Sequence, residues 1–438
     1  MMKKEMTLLG LVAATYFMVS GGPYGLEDLI AQTGYGWGIL ILCLVPFLWA
    51  LPTAMMVGEL ASAIPNRGGF YIWVQRALGK FWGFQEAWLS LAASIFDMGI
   101  YPLLFISYLG VLAPSFTAGW HGSLIATALI AVCVLWNLRG AKAVGNGSVA
   151  LGALMVSPFV IITLAALRHA HLTHVTGHPH AVSLMGGIMV AMWNFMGWDN
   201  ASTIATEVKK PQRTYPIAMM VTMLLIVGSY ILPVAASWYL GVPLSAWSTG
   251  SWATIGEIIA GSWVRDAIVL GGMISAAGML NSLMMSYSRI PPALAEDHYL
   301  PRIFTKINAV SVPMIALFAL ATVWATAFGL NFDRLVMLDI LLYGTSLILE
   351  FIALVVLRWK EPDLPRPFRV PGGKLGAILV GVCPTILLFA AGIFGDHNGL
   401  LLGLGMILSG VGAWCGIHGF RAAKYEKIAP TFSTTTIP

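Results

Sequence analysis

Apolar residues run along this chain in blocks too long for ordinary soluble helices. Twelve such blocks fall near 6–30, 37–63, 81–112, 121–138, 144–168, 184–207, 215–240, 264–290, 311–330, 334–357, 375–395 and 398–420. Each is close to the roughly 20 residues that a helix needs to cross the hydrocarbon layer. The breaks between them are short and carry the prolines, glycines and charges. The pattern predicts an all-α integral membrane protein of twelve transmembrane helices, with no soluble domain inserted.

Composition agrees. Of 438 residues, 58% are hydrophobic and only 10% are charged, against about 25% charged in a typical soluble domain. That excludes a soluble enzyme, a disordered chain and a disulfide-stapled secreted module. Net charge is +5, but the basic residues sit in the breaks rather than in one patch, so lipid and not nucleic acid is the expected partner. With the first residues inside, every Lys and Arg falls on the inner side except Arg168, Arg265 and Arg334. The positive-inside rule then places both termini in the cytoplasm, of a cell or inner membrane. The basic start at Lys3 and Lys4 precedes an apolar run with no small-residue cleavage site, which reads as a first span.

Cys43, Cys133, Cys383 and Cys415 lie inside apolar blocks without a CxxC pair and read as packing residues. His169, His171, His174, His178 and His180 crowd one outer loop. They read as a solvated loop, with a metal site or pH sensor as the alternative.

Two blocks look interrupted. The first holds Ser20-Gly21-Gly22-Pro23-Tyr24-Gly25, and the sixth holds Trp193-Asn194-Phe195-Met196-Gly197-Trp198-Asp199-Asn200. Glycine lets a helix unwind and proline withholds a donor; backbone irregular at membrane depth survives where it faces a cavity. Kinks in continuous helices are the alternative, but acids follow both places (Glu27, Asp28 and Asp199), and lipid penalises them. Blocks one and six are five apart, so they occupy matching positions in two halves of opposite orientation. That spacing matches the inverted-repeat transporter plan, with a binding site at the paired breaks.

At these residues the sequence resembles the amino acid–polyamine–organocation superfamily of permeases. The resemblance rests on Ser20–Asp28 and Gly197–Pro216, and on Glu59-Leu60 with Pro65–Tyr71 and Tyr287–Pro301. Asp97-Met98-Gly99-Ile100-Tyr101-Pro102 adds to it. The wording is closest to the polyamine uptake and L-type amino acid transporter branch. The resemblance implies a LeuT-like five-plus-five inverted repeat with broken helices one and six. It divides the chain into a first repeat over 1–170, a second over 171–360, and two peripheral helices and a tail over 361–438. It also implies alternating access. The superfamily's amino acid carriers hold a substrate carboxylate at a Gly-Ser/Ala-Gly break; here the place reads Gly21-Gly22-Pro23, and Pro23 withholds one amide.

The expected guest is a small organic cation, a polyamine ahead of a neutral or basic amino acid. A cation calls for carboxylates and aromatic faces. Substrate-binding candidates are Gly21, Gly22, Pro23, Tyr24, Gly25, Asp97, Tyr101, Trp193, Gly197, Trp198 and Asp199, with Tyr287 as a further wall. Coupling or gating candidates are Asp97, Asp199, Glu27, Asp28 and Glu207, the last beside Lys209, Lys210 and Arg213. Glu59 is expected to cap or pair near its basic loop; Asp339 and Glu350 have no partner legible in the sequence. No resident cofactor or metal is expected. The driving ion is a proton, since a carboxylate shielded from water can carry one near neutrality; sodium is the alternative, with Ser275 and Ser282 as ligands. No HExxH, GxSxG or P-loop motif competes for an enzyme, and no charged rings for a channel.

Overall fold

The computed structural model describes residues 4–117, 119–168, 183–326, 332–394 and 397–428. The outer-loop histidines between 169 and 180 lie outside the described residues. The chain is helical, in the order α1 (Leu8–Val19), α2 (Glu27–Val45), α3 (Leu51–Ala63), α4 (Phe70–Leu78), α5 (Lys80–Leu112), α6 (Pro114–Thr117) and α7 (Trp120–Asn137). There follow α8 (Ala141–Arg168), α9 (Leu184–Asn194), a 3₁₀ segment Trp198–Glu207, α10 (Pro211–Tyr239), α11 (Trp252–Ala260) and α12 (Ser262–Tyr287). The order ends with α13 (Ile290–Glu296), α14 (Met314–Trp324), α15 (Phe332–Lys360), α16 (Gly373–Phe394) and α17 (His397–Ile428).

Among the described residues, nine helical runs are long and apolar enough to cross a membrane, and the protein is a multi-pass membrane protein. Their outward faces carry apolar side chains such as Leu164, Leu224, Phe389 and Ile393, which suits a surface solvated by lipid. The expected blocks one, six and nine are absent from those nine runs. The ninth, α14, is followed by residues outside the description. The first and sixth are interrupted where the glycines and proline lie. The 12 residues of α1 reach only about 18 Å at 1.5 Å per residue, well short of the layer.

The first interruption covers residues 20–26, with Gly22 at φ +72° and Gly25 at φ +90°. Helix then resumes at Glu27 and turns sharply at Gly34 (φ 71°, ψ 175°), so residues 27–33 form a separate half-helix. The run onward continues through a π-turn at Pro46–Ala50 into α3. The second interruption covers residues 195–197, with Gly197 at φ +95°. Beyond it the chain winds as a 3₁₀ segment rather than an α-helix.

Helix α1 is central, packed on α8, α10, α12 and the 3₁₀ segment, while α5 packs on α12 and α15. One end of the bundle is knitted by ion pairs. Arg289 grips Glu207 at 3.0 and 3.3 Å, both side chains buried. Arg358 grips Glu59 at 2.6 and 2.5 Å, and Arg366 stands 3.1 Å from the same carboxylate. Arg76 and Glu361 form a fork at 2.7 and 2.6 Å; its guanidinium holds the Glu361 carboxyl below the usual range. The loops that meet here follow the second, sixth, eighth and tenth expected spans, as an even number of crossings between them requires.

Candidate functional site

Between the two interruptions lies a narrow cavity with about 30 Å³ in which the centre of a water molecule can move. Its walls include Met18 and Val19 at the C-terminal end of α1, and Trp193 and Asn194 at the C-terminal end of α9. A helix C-terminus carries roughly half a negative charge in unpaired carbonyls. Two such ends therefore face one small space. The opposing helix starts, which would favour an anion, already have acids on them: Glu27 in the first turn of α2 and Asp199 in the first turn of the 3₁₀ segment.

Several amides at the first interruption are also occupied. Gly22 N–H donates to Ser20 Oγ at 2.9 Å, and Gly25 N–H donates to Glu27 Oε2 at 2.7 Å. Leu26 N–H donates to Pro23 O at 3.2 Å, and Pro23 has no N–H to offer. At the second interruption, Gly197 N–H donates to the Tyr343 hydroxyl at 3.0 Å. Asp199 accepts from the Asn200 amide and, at 2.5 Å, from the same Tyr343 hydroxyl. The arrangement leaves carbonyls and carboxylates prominent, which suits a cation.

Asp97 and Asp339 line the cavity with Tyr24, Tyr101, Tyr287 and Tyr343. Tyr101 donates to Asp97 Oδ1, and Tyr287 donates to Asp97 Oδ2 at 3.1 Å. The Trp193 indole hydrogen-bonds Asp339. Among the described residues, no lysine, arginine or histidine lines the cavity. Burying a carboxylate is unfavourable unless a cation or proton offsets it; here the lining itself supplies no cation.

An amino acid permease family profile matches residues 9–414. The chain belongs to the amino acid permease family. The permease is 32% identical over 412 residues to the polyamine transporter RMV1 of Arabidopsis thaliana, covering 93% of this chain and 84% of that one. It is 30% identical over 413 residues to the polyamine transporter PUT1 of Oryza sativa subsp. japonica, covering 93% and 77%. A more distant relative is the serine/threonine exchanger SteT of Bacillus subtilis, 25% identical over 395 residues, covering 84% and 87%. Membership makes the permease a transporter rather than an enzyme.

Of the residues singled out in the sequence, Gly21, Tyr24, Asp97, Tyr101, Trp193, Gly197 and Tyr287 line the cavity of the permease. Gly21 O accepts from Ser275 Oγ at 2.6 Å, joining α12 to the first interruption. Gly22, Pro23 and Gly25 shape that interruption without lining the cavity; the Pro23 carbonyl accepts from the Trp252 indole at 2.8 Å. Trp198 is fully buried and donates to Phe195 O at 2.9 Å. Asp199 lies behind Tyr343 rather than in the wall.

The remaining candidates stand apart. Glu27 accepts from Tyr108 at 3.2 Å, and Asp28 accepts from Thr249 at 2.8 Å. Glu207 pairs with Arg289, not with its neighbours Lys209, Lys210 and Arg213.

Sequence reasoning passed over Tyr343, Asn194, Asn200 and Glu86. Tyr343 was detectable: Asp339, Tyr343, Ser346 and Glu350 recur at helical spacing along α15, one polar stripe on one face. On α5, Glu86, Ser90, Ser94, Asp97 and Tyr101 form a second stripe.

Proposed function

We propose that the permease is a secondary carrier that moves a small organic cation, a polyamine by preference, across the cytoplasmic membrane by alternating access coupled to protons. The observation that carries the reading is the cavity lined by Asp97 and Asp339 and faced by two helix C-termini, with no basic side chain in its wall among the described residues. Ammonium groups would take the place of the missing cations. Tyr24, Tyr101, Tyr287 and Trp193 would cover the alkyl segments and offer ring faces to the charge. The names of RMV1 and PUT1 support the same substrate class.

The reading extends to architecture. Twelve spans would comprise a LeuT-like pair of five-helix repeats over 1–170 and 171–360, with peripheral helices and a cytoplasmic tail over 361–438. The interruptions in the first and sixth spans are the hinges on which the cavity would open alternately. Both termini would be cytoplasmic, as the charge distribution requires.

Exchange or symport of a neutral or basic amino acid is the second reading, favoured by similarity to the serine/threonine exchanger SteT. Counterflow into proteoliposomes separates the two. Labelled putrescine and spermidine are expected to exchange, and Asp97→Asn or Asp339→Asn is expected to reduce that exchange at least tenfold. Exchange of serine or arginine with no amine uptake would overturn the polyamine reading.

A further inference from the structure

The stripes on α5 and α15 run antiparallel, and their acids match across the interface. Asp97 and Asp339 line the cavity. Eleven residues away on each helix, about 16 Å along the axis, stand Glu86 and Glu350, both fully buried. Ser90, one turn along α5, donates weakly to Glu86 at 3.4 Å, and Ser346 on α15, whose hydroxyl donates to Tyr343 O at 3.1 Å, stands near it. Among the described residues, Glu86 Oε2 has no hydrogen-bond partner, and neither oxygen of Glu350 has one.

The charged groups that act on Glu350 are Glu86 and Asp199, and Asp199 also acts on Glu86. All are acids. Tyr343 stands between, hydrogen-bonded to Asp199 and within the field of Glu350. Among the described residues, no guanidinium or ammonium acts on either glutamate.

Keeping both carboxylates ionised in that setting is costly, because neither has a countercharge and the serine contact at Glu86 replaces little of the lost water. Among the described residues, no three His, Cys, Asp or Glu side chains are placed to hold a metal ion. A proton needs only one carboxylate oxygen. We propose that Glu86 and Glu350 form a proton-binding site separate from the substrate cavity, and that a cation bound in the cavity expels its proton.

On loading, a proton from water joins one carboxylate oxygen of the pair and turns that group into a neutral carboxyl. On release it returns to water and leaves two carboxylates. A cation in the cavity and a proton at the pair are like charges sharing the field of Asp199, so each weakens the binding of the other. This inference rests on the cation reading above, but one of its tests does not.

That test is infrared spectroscopy of the purified protein at neutral pH without ligand. A protonated carboxyl stretch is expected, reduced in Glu350→Gln and again in Glu86→Gln. An unchanged carboxyl band in both variants would overturn the proposal, as would loss of the wild-type band on adding sodium at fixed pH. The second test is putrescine binding across pH. Wild-type affinity is expected to tighten by up to about tenfold per pH unit over the window where one proton is displaced, with protons released to a weakly buffered medium. In Glu350→Gln the binding that remains is expected to lose that dependence. A retained dependence, with the same proton release, would overturn the proposal. Absence of any putrescine binding by the wild type would instead remove the polyamine reading and leave the infrared result to judge the pair.

Discussion

A Cβ atom built on Gly197 would stand 2.3 Å from the carbonyl oxygen of Met18. The two interrupted segments therefore touch backbone to backbone, at a place where no side chain fits. Gly197 also holds φ +95°, a conformation that costs a non-glycine residue about 1–3 kcal/mol. Gly197→Ala is expected to lower thermal stability by at least that amount and to abolish uptake. Wild-type uptake by this variant would show that the contact opens freely.

Tyr343 joins the second interruption to the acid behind it, accepting from Gly197 N–H and donating to Asp199. Tyr343→Phe keeps the ring and strands a buried amide, at about 1–3 kcal/mol. A fall in melting temperature and weaker polyamine binding are expected together. Calorimetry with and without ligand would separate the two effects.

Gly22 sits at φ +72° with Met155 Cε 3.1 Å from where a Cβ would lie. Gly22→Leu is expected to insert normally and to transport nothing. Membrane yield and proteoliposome uptake measure these independently; normal uptake would mean that the first interruption is not needed in its present form.

The buried pair Glu207–Arg289 lies at the knitted end of the bundle. Removing one partner leaves an uncompensated buried charge, so Glu207→Ala is expected to destabilise by about 3–5 kcal/mol. The double replacement Glu207→Leu with Arg289→Met is expected to recover much of that loss, as thermal denaturation would measure. If the double variant is no more stable than the single, hydrogen bonding of Arg289 to Met285 and Ser288 carries more of the structure than the pair does.

Both interruptions were legible in the sequence because glycine and proline state their backbone consequences locally. Asp97 was legible because an acid in mid-span is rarely idle. The partnership of Glu207 with Arg289 was not. It spans 82 residues, and the sequence offered nearer cations that turn away from it. Glu86 escaped notice because it falls six residues after Lys80, beside Gln85, where a polar residue passes for the edge of a span. Asp199 is expected from the sequence as a substrate or coupling carboxylate; the 3₁₀ path of its segment places it behind Tyr343, a position that periodicity tuned to 3.6 residues does not reveal.

Met6 pairs with Val208 in an isolated parallel bridge, with Glu5 and Met6 N–H donating to Glu207 O and Lys209 N–H returning to Met6 O. The stretch leading into α1 is thus stapled to the exit of the 3₁₀ segment by main-chain hydrogen bonds. A bulky tag fused just ahead of Lys4 would press on that staple, so functional reporters belong at the opposite terminus.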